Sequence, residues 1–240
     1  MSHGILSTLF YIPVYNALVF IIEKIPGHSA GLAVILLTIL IRLILFPLSK
    51  SSIKTQLQMK RIEPEVESIK KNTKDKQAQA QQLMKLYKDK GINPFAGFFL
   101  LLIQLPILIG LYNVFQSGLP TIDTTILYSF VNAPVDVAMT FLGIDLMKKS
   151  FILAILAVIT QFIQINLALP KSKKPTESSF QNDLAHSMNV QMRYILPLVM
   201  FPIALLSSVI AIYLIASNIF MIFQELFVKR RLEAEYKSHS

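Results

Sequence analysis

The sequence contains no cysteine, no tryptophan and few charged residues. Charged side chains make up 15% of its 240 residues, whereas soluble globular proteins carry about 25%. The absence of cysteine excludes disulfide bonds and any metal site or nucleophile that depends on a thiol. The scarcity of charge, together with a hydrophobic content of 53%, argues against an ordinary soluble domain.

Long apolar runs are abundant in the sequence. Four of them lie at Gly31–Leu48, Phe95–Phe115, Phe151–Leu169 and Tyr194–Val228. Each of the first three is long enough to cross a hydrocarbon core of about 30 Å as a helix. The fourth is too long for one span, and Pro202, Ser207 and Ser208 indicate a turn between two short spans. We therefore predict an all-α polytopic membrane protein rather than the buried core helices of a large soluble protein.

The distribution of lysine and arginine predicts the orientation of these spans. Basic residues are frequent in Ser49–Asn93, in Leu169–Arg193 and in the C-terminal tail, while Gln116–Ser150 carries only Lys148 and Lys149. Because basic loops stay on the cytoplasmic side, the first three segments are predicted to be cytoplasmic and the last external. This gives five spans, with the N-terminus outside and the C-terminus inside.

The predicted organisation is one domain made of consecutive segments. In chain order they are an external interfacial helix (1–29), a first span (30–48), a cytoplasmic helical hairpin (49–93), a second span (94–116), an external loop (117–150), a third span (151–169), a cytoplasmic loop (170–193), a fourth span (194–207), a fifth span (208–228) and a basic cytoplasmic tail (229–240).

The N-terminal stretch Ile5–Ile25 admits two interpretations. It is apolar enough to span, but it is interrupted by Tyr11, Pro13, Tyr15 and Asn16. We favour an amphipathic helix at the outer surface over a sixth span, which would place the N-terminus inside. A cleaved signal peptide is not expected, because no basic region begins the stretch.

Polar residues inside the predicted spans are concentrated toward the cytoplasmic half. They are Arg42, Gln104, Gln161, Gln164 and Asn218. Lipid tails cannot satisfy such groups, so we expect them to face one another or a wet cavity. Since the outer halves are mostly aliphatic and aromatic, a hydrophilic groove that opens to the cytoplasm fits better than a pore through the membrane.

Each of these residues also has a purely structural interpretation. Glutamine and asparagine in spans often join helices by hydrogen bonds worth about 0.6 kcal/mol. Arg42 lies about 9 Å from the cytoplasmic end of its span, so its side chain could snorkel to the surface. However, no Asp or Glu lies in the interior of a predicted span, and an unpaired arginine at that depth costs several kcal/mol unless it is hydrated. A functional role for Arg42 is therefore favoured.

The segment Ser49–Asn93 is predicted to contain two short helices with a turn near Asn72–Asp75. Its two apolar stripes are thin, and the remaining residues are mostly charged or glutamine. The sequence predicts a basic hairpin that is either structural or partner-binding. The lysines that we assign to a partner-binding surface are Lys70, Lys71, Lys74, Lys76 and Lys85.

No signature of catalysis or metal binding is present in the sequence. The four histidines, His3, His28, His186 and His239, lie in predicted loops or termini without metal-ligand spacing. There is no Gly-rich phosphate loop, no HExxH and no nucleophile elbow. We therefore expect no catalytic residues, no metal and no cofactor.

The order of several motifs resembles one family of membrane proteins. These motifs are "GLAVILLTILIRLILFPLS", "EPEVESIK", "MKLYKDKGINPFAGFFLLLIQLPILIGLYNV", "FLGIDL" and "IYLIASNIFMIFQ". The chain resembles the YidC-type membrane protein insertases, relatives of the mitochondrial Oxa and chloroplast Alb proteins, in a short form without a large periplasmic domain. The resemblance extends over nearly the whole chain.

The resemblance implies a fold, a function and a set of partners. It implies five spans around a hydrophilic groove, with Arg42 and Gln104 in that groove. Members often carry Tyr-Trp in the last span, where this chain has Tyr213-Leu214, so Leu214 takes the position of the groove tryptophan. The implied function is insertion of nascent membrane proteins in the bacterial cytoplasmic membrane. The expected partners are these clients, the ribosome, a targeting receptor, the Sec translocon and membrane lipids, but not DNA.

Two other classes of function use the same features. A small-anion transporter or channel would bind its solute at Arg42 and would need an outward opening, which the apolar outer halves do not favour. A passive scaffold would assemble other membrane proteins without inserting them.

Overall fold

The computed structural model describes residues 7–73, 75–93, 96–119, 121–169 and 191–238. Within these ranges the chain is mostly helical. The α-helices are α1 (Ile12–Lys24), α2 (Ala30–Ile44), α3 (Phe46–Arg61), α4 (Glu63–Asn72), α5 (Lys76–Asp89), α6 (Ala96–Asn113), α7 (Phe151–Ala168), α8 (Leu196–Ala204) and α9 (Ser208–Lys237). Two short antiparallel strands, β1 (Thr140–Phe141) and β2 (Ile144–Asp145), lie between α6 and α7.

Helices occupy each of the five predicted spans. Among the described residues, α7 and the segment Ser208–Tyr236 of α9 are long and apolar enough to cross a membrane on their own. The pair α2 and α3 meets the same criterion jointly, and Ile103–Gln116 and Arg193–Ala204 are shorter apolar helices. The architecture is thus that of an α-helical membrane protein, while the count of five spans stays a prediction.

The first predicted span is bent where its apolar sequence ends. Helix α2 is capped at its N-terminus by Ser29, whose hydroxyl accepts a hydrogen bond from the Leu32 N–H, and it ends at Ile44 rather than Leu48. Pro47 stands in the first turn of α3, where it lacks an N–H and its ring excludes the preceding helical carbonyl. The helix axis consequently turns by 62° between α2 and α3.

The predicted external loop ties together the outer ends of several helices. Ala30 N–H donates to the Ala138 carbonyl at 3.1 Å, and Ala138 N–H donates to the His28 carbonyl at 3.0 Å. At the start of α9, Ser208 N–H donates to Lys148 O and Val209 N–H to Leu146 O. The loop backbone therefore satisfies N–H groups at helix starts that would otherwise lack partners.

Helix α1 packs against the bundle and against the same loop. Tyr15, Leu18 and Ile22 are fully buried on one of its faces. The Asn16 side chain donates to the Ile126 carbonyl at 2.9 Å and accepts from the Tyr128 N–H at 2.6 Å. Helix α1 thus lies at the end of the bundle where the predicted external loop lies, while its interfacial location stays a prediction.

Helix α9 is the element on which the others assemble. It packs against both α7 and α2, while α8 packs against α7, and α1 against α2 and α6. Its 30 residues span about 45 Å. The core between these helices is apolar and contains fully buried Val34, Ala154 and Ile210.

The last turns of α9 form a second, smaller core with α3. Ile53 on α3 is buried against Val228 and Leu232 on α9. The guanidinium carbon of Arg61 lies 3.4 Å from the centre of the Tyr236 ring, which is a cation–π contact. The first part of the predicted tail, residues 229–237, is therefore helical and packed along α3.

Candidate functional site

Arg42 occupies the last turn of α2 and is buried between three helices. Its side chain reaches Gln104 on α6 and Ser217 on α9, and Arg42 is only 8% exposed. Arg42 Nε donates to Ser217 Oγ at 3.1 Å, and Nη2 donates to Gln104 Oε1 at 2.6 Å. Nη2 also donates to Ser217 Oγ. One guanidinium thus joins three helices that are far apart in sequence.

The Gln104 amide extends this network to Tyr213. Its carbonyl oxygen accepts from Arg42, and its Nε2 donates to the Tyr213 hydroxyl oxygen. Tyr213 and Ser217 stand four residues apart on α9, so they lie on the same helix face. We call Arg42, Gln104, Tyr213 and Ser217 the Arg42 cluster.

The charge of Arg42 is balanced by dipoles and not by a carboxylate. In the part of the chain that the structure describes, no Asp or Glu forms an ion pair with Arg42, and its Nη1 makes no hydrogen bond. Neutral oxygens satisfy the other donors, and hydrogen bonds to a charged group are worth about 1.5–3 kcal/mol each. The cluster therefore keeps a buried cation whose partners are all weaker acceptors than a carboxylate.

The side of the cluster nearer Ala30 is apolar. A small cavity next to Tyr213 is lined mainly by Val34, Leu37, Ile107 and Leu111. Thr38 also lines this cavity, but its hydroxyl donates to the Val34 carbonyl of its own helix at 2.6 Å. Among the described residues that line this cavity, the polar ones are Thr38 and Tyr213, and both hydroxyl groups already take part in hydrogen bonds within the protein.

The structure brings some of the predicted site residues together and places others apart. Arg42 and Gln104 are brought together by a direct hydrogen bond. Asn218 faces α7 instead, where its amide donates to the Ala157 carbonyl at 3.3 Å and to Thr160 Oγ1 at 3.1 Å. This arrangement corresponds to the interhelical interpretation of an in-span asparagine.

The remaining predicted groove residues do not bond to Arg42. Leu214 is 5% exposed and belongs to the apolar core, so the position of the expected groove tryptophan is filled by a packing residue. Gln164 is buried on α7, and Gln161 is partly exposed one turn before it. Within the described residues neither glutamine hydrogen-bonds to the Arg42 cluster.

Sequence reasoning missed Ser217 and Tyr213 as partners of Arg42. A serine inside an apolar helix is usually a small packing residue, and only the spacing of four from Tyr213 indicated a shared polar face. The prediction that no Asp or Glu lies inside a span was also wrong. Glu225 falls within the fifth predicted span, 208–228, and is only 3% exposed. The Glu225 carboxylate pairs with Lys229, with 2.9 Å between Oε1 and Nζ. The Lys229 ammonium also donates to the Leu167 carbonyl at the end of α7.

The segment predicted as a cytoplasmic hairpin, 49–93, contains most of α3 as well as α4 and α5. The hairpin itself is formed by α4 and α5 and is held mainly by polar contacts. Lys90 Nζ lies 2.8 Å from Glu65 Oε1, and the buried Gln79 amide donates to the Lys70 carbonyl at 3.0 Å. Burial raises the pKa of the Tyr87 phenol above its ordinary value. Of the predicted partner-binding lysines, Lys71, Lys76 and Lys85 are exposed, Lys70 is half-buried, and Lys74 lies outside the described residues.

No metal site is apparent in the described ranges. There, no three His, Asp or Glu side chains come close enough to share an ion.

Comparison with known proteins gives consistent similarities over most of the chain. A family model described as 60Kd inner membrane protein matches residues 20–235. The membrane protein insertase YidC of Oceanobacillus iheyensis is 30% identical over 241 residues, which cover 98% of this chain and 87% of the relative. The protein of the same name from Clostridium tetani is 32% identical over 234 residues, covering 96% and 94%.

A solved structure shows the same fold. It is an active YidC insertase with its first transmembrane domain resolved, and it is similar with a TM-score of 0.56 at 24% sequence identity. The match covers 90% of this chain and 45% of the solved chain, so this chain corresponds to less than half of that protein.

The hydrogen bonds from Arg42 predict that Ser217 contributes more to stability than its size suggests. Ser217→Ala removes the acceptor of Arg42 Nε and leaves a buried charged donor unpaired, which costs about 1–3 kcal/mol. Ser52→Ala is the matched control, because Ser52 is also helical and only 1% exposed, yet its hydroxyl has no hydrogen-bond partner among the described residues. The measurement is the free energy of unfolding in mixed micelles; equal losses for both variants would contradict the assigned bonds.

Proposed function

The chain belongs to the 60Kd inner membrane protein family of membrane protein insertases, and we propose that it moves transmembrane segments with short external regions from the cytoplasm into the bilayer. It is a bacterial inner membrane protein, and its clients are nascent membrane proteins. The observation that supports the proposed route is the Arg42 cluster, which holds a buried cation with no carboxylate partner among the described residues.

The physical obstacle for a client is its short hydrophilic segment. Each polar group that enters hydrocarbon without a hydrogen-bond partner costs several kcal/mol. A polar site partway across the membrane shortens the dry path, because the segment can exchange water for protein donors and acceptors. The Arg42 cluster supplies both, through its guanidinium, its amide and its two hydroxyl groups.

The neutral partners of Arg42 make the site available to a client. A client carboxylate forms a charge-assisted hydrogen bond that is stronger than the bond to Gln104 or Ser217, so it can displace them. Client carbonyls compete on roughly equal terms. Binding therefore does not require that a strong internal ion pair be broken first.

We propose that the route is open to the cytoplasm and closed on the external side. This orientation has the N-terminus outside and the C-terminus inside, as the distribution of lysine and arginine favours. The apolar wall between Thr38 and the external loop would block passage outward. Gln161 and Gln164 would extend the hydrophilic groove toward the cytoplasm, where clients enter.

Release into lipid completes the proposed mechanism. The apolar part of a client moves sideways into the bilayer past α7 and α9 and gains about 25 cal/mol per Å² of apolar area removed from water. No covalent bond forms or breaks in this sequence of steps. The proposed mechanism consequently assigns no catalytic residue.

Insertion should depend on the charge at position 42 in a client-specific way. Purified protein alone is reconstituted in liposomes with two single-span clients that differ only in acidic or neutral external residues. We expect Arg42→Ala to reduce protease-protected insertion of the acidic client several-fold, Arg42→Glu to reduce it further, and Arg42→Lys to retain much activity because the charge remains.

The neutral client is the internal control of this experiment. Its insertion should fall less in every variant. Equal losses for both clients would contradict a role for the charge. Saturable anion flux without insertion would indicate a transporter, and neither activity would indicate a passive scaffold.

We also propose that the α4–α5 hairpin binds cytoplasmic partners, the ribosome or a targeting receptor, with the Sec translocon as a further partner of the membrane region. The hairpin has little core of its own, since α4 has no buried residue and α5 has only Gln79. Its exposed lysines would bind acidic or phosphate groups, and the affinity would fall as salt is added.

Removal of the hairpin should separate partner binding from folding. Deletion of Pro64–Lys90 is expected to impair ribosome-coupled insertion while the remaining spans stay folded. A milder variant, with Lys71, Lys76 and Lys85 changed to Gln, should weaken salt-sensitive co-sedimentation with ribosomes several-fold. Full activity of the deletion would show that the hairpin is only a linker.

A further inference from the structure

The external loop exposes several large apolar side chains that the proposed function does not use. Val135 is 99% exposed, Leu142 is 85% exposed and Phe130 is 68% exposed. All three follow α6 in the segment that precedes α7. Isolated exposed apolar residues are ordinary on protein surfaces, so exposure alone does not assign them a role.

Leu142 is distinguished by its backbone. It stands with Gly143 between β1 and β2, where Phe141 pairs with Ile144, and its φ is 51° while that of Gly143 is 77°. A two-residue turn with both φ values positive favours asparagine followed by glycine, and a leucine there is strained. The hairpin tip therefore carries a leucine where its conformation favours a small polar residue and where its side chain is left exposed.

The position of the tip places this leucine at the level where α2 begins. Phe141, the preceding residue, lies so close to Gly31 in the first turn of α2 that a Cβ on Gly31 would come within 2.5 Å of it. The loop is further fixed to this end of α2 by pairing of Ser29 with Ala138. On the same helix, Leu32 and Leu36 are exposed on the surface that lipid covers in a membrane protein.

A second exposed group in the loop has the composition of a membrane interface. Phe130 contacts Phe20 of α1 edge to face, with 6.5 Å between ring centres. The ring centre of Tyr128 lies 5.6 Å from that of Phe130. The Lys24 ammonium is 5.8 Å from the Phe20 ring centre. Aromatic rings with an adjacent cation are typical of side chains that lie at the headgroup level of a bilayer.

We propose that the external loop docks into the outer leaflet, with Leu142 at its hairpin tip inserted among the phospholipid acyl chains next to the start of α2. The partner is the lipid surface, because the exposed apolar tip lies beside the first turn of α2, on which Leu32 and Leu36 are also exposed. Insertion removes the leucine from water and so compensates for the strained turn. The loop is then held at the membrane surface as well as on the helix ends.

The absence of cysteine makes a single reporter position straightforward. Thr140→Cys, an exposed position in the same hairpin, is labelled with an environment-sensitive fluorophore while Leu142 stays intact. The protein is reconstituted in phosphatidylcholine–phosphatidylglycerol liposomes with or without brominated acyl chains. Labels at Leu36→Cys and Lys71→Cys provide the lipid-facing and aqueous references.

Quenching by brominated lipid at position 140 should approach that at position 36 and exceed that at position 71 several-fold. Leu142→Asn, which suits the turn, should reduce this quenching several-fold while the label at position 36 is unaffected. Quenching by aqueous iodide instead of brominated lipid would overturn the proposal. Protection from both quenchers would also overturn it, because it would place the tip against protein.

Discussion

A guanidinium buried among apolar helices must have its N–H groups hydrogen-bonded, and this constraint connects the central helices of the bundle. Arg42 meets it in part: Nε and Nη2 donate to oxygens from α6 and α9, while Nη1 makes no hydrogen bond within the described residues. These bonds hold α2 to both helices. The partners are an amide and a hydroxyl, which stabilise the charge without neutralising it. The same arrangement serves stability in the resting protein and, in the proposed function, leaves the cation able to bind a more strongly charged client group.

The two ends of the bundle differ in polarity, so the surroundings of the Arg42 charge are not the same on its two sides. Toward Ala30, apolar side chains line the cavity beside the cluster and the loop backbone covers the helix starts. Toward Leu45, Pro47 bends the chain away, and α3 continues as a polar helix that packs on the end of α9. On the proposed route from the α3 side, a client would therefore meet polar surface first and an apolar wall last.

Much of the fold could be predicted from local sequence, because it rests on the length and composition of apolar runs. The shared environment of Arg42 and Gln104 was expected from the bias of in-span polar residues toward one half of the membrane and from the family resemblance, which implies one groove for both. The faces of α9 could not be predicted in the same way. Ser217 and Asn218 are neighbours in sequence, yet one contacts α2 and the other α7. A helix that is packed on opposite sides has no single apolar stripe to orient it, and consecutive residues point about 100° apart.

In the proposed mechanism, position 42 is reached from the cytoplasm and not from outside. The direct measurement is the reactivity of Arg42→Cys, in an otherwise cysteine-free chain, toward a membrane-impermeant thiol reagent supplied from either side of oriented vesicles. Lys71→Cys serves as the cytoplasmic reference and Thr121→Cys as the external one. We expect labelling of position 42 from the cytoplasmic side alone. Labelling from the external side, or no labelling from either side together with normal insertion by Arg42→Ala, would contradict it.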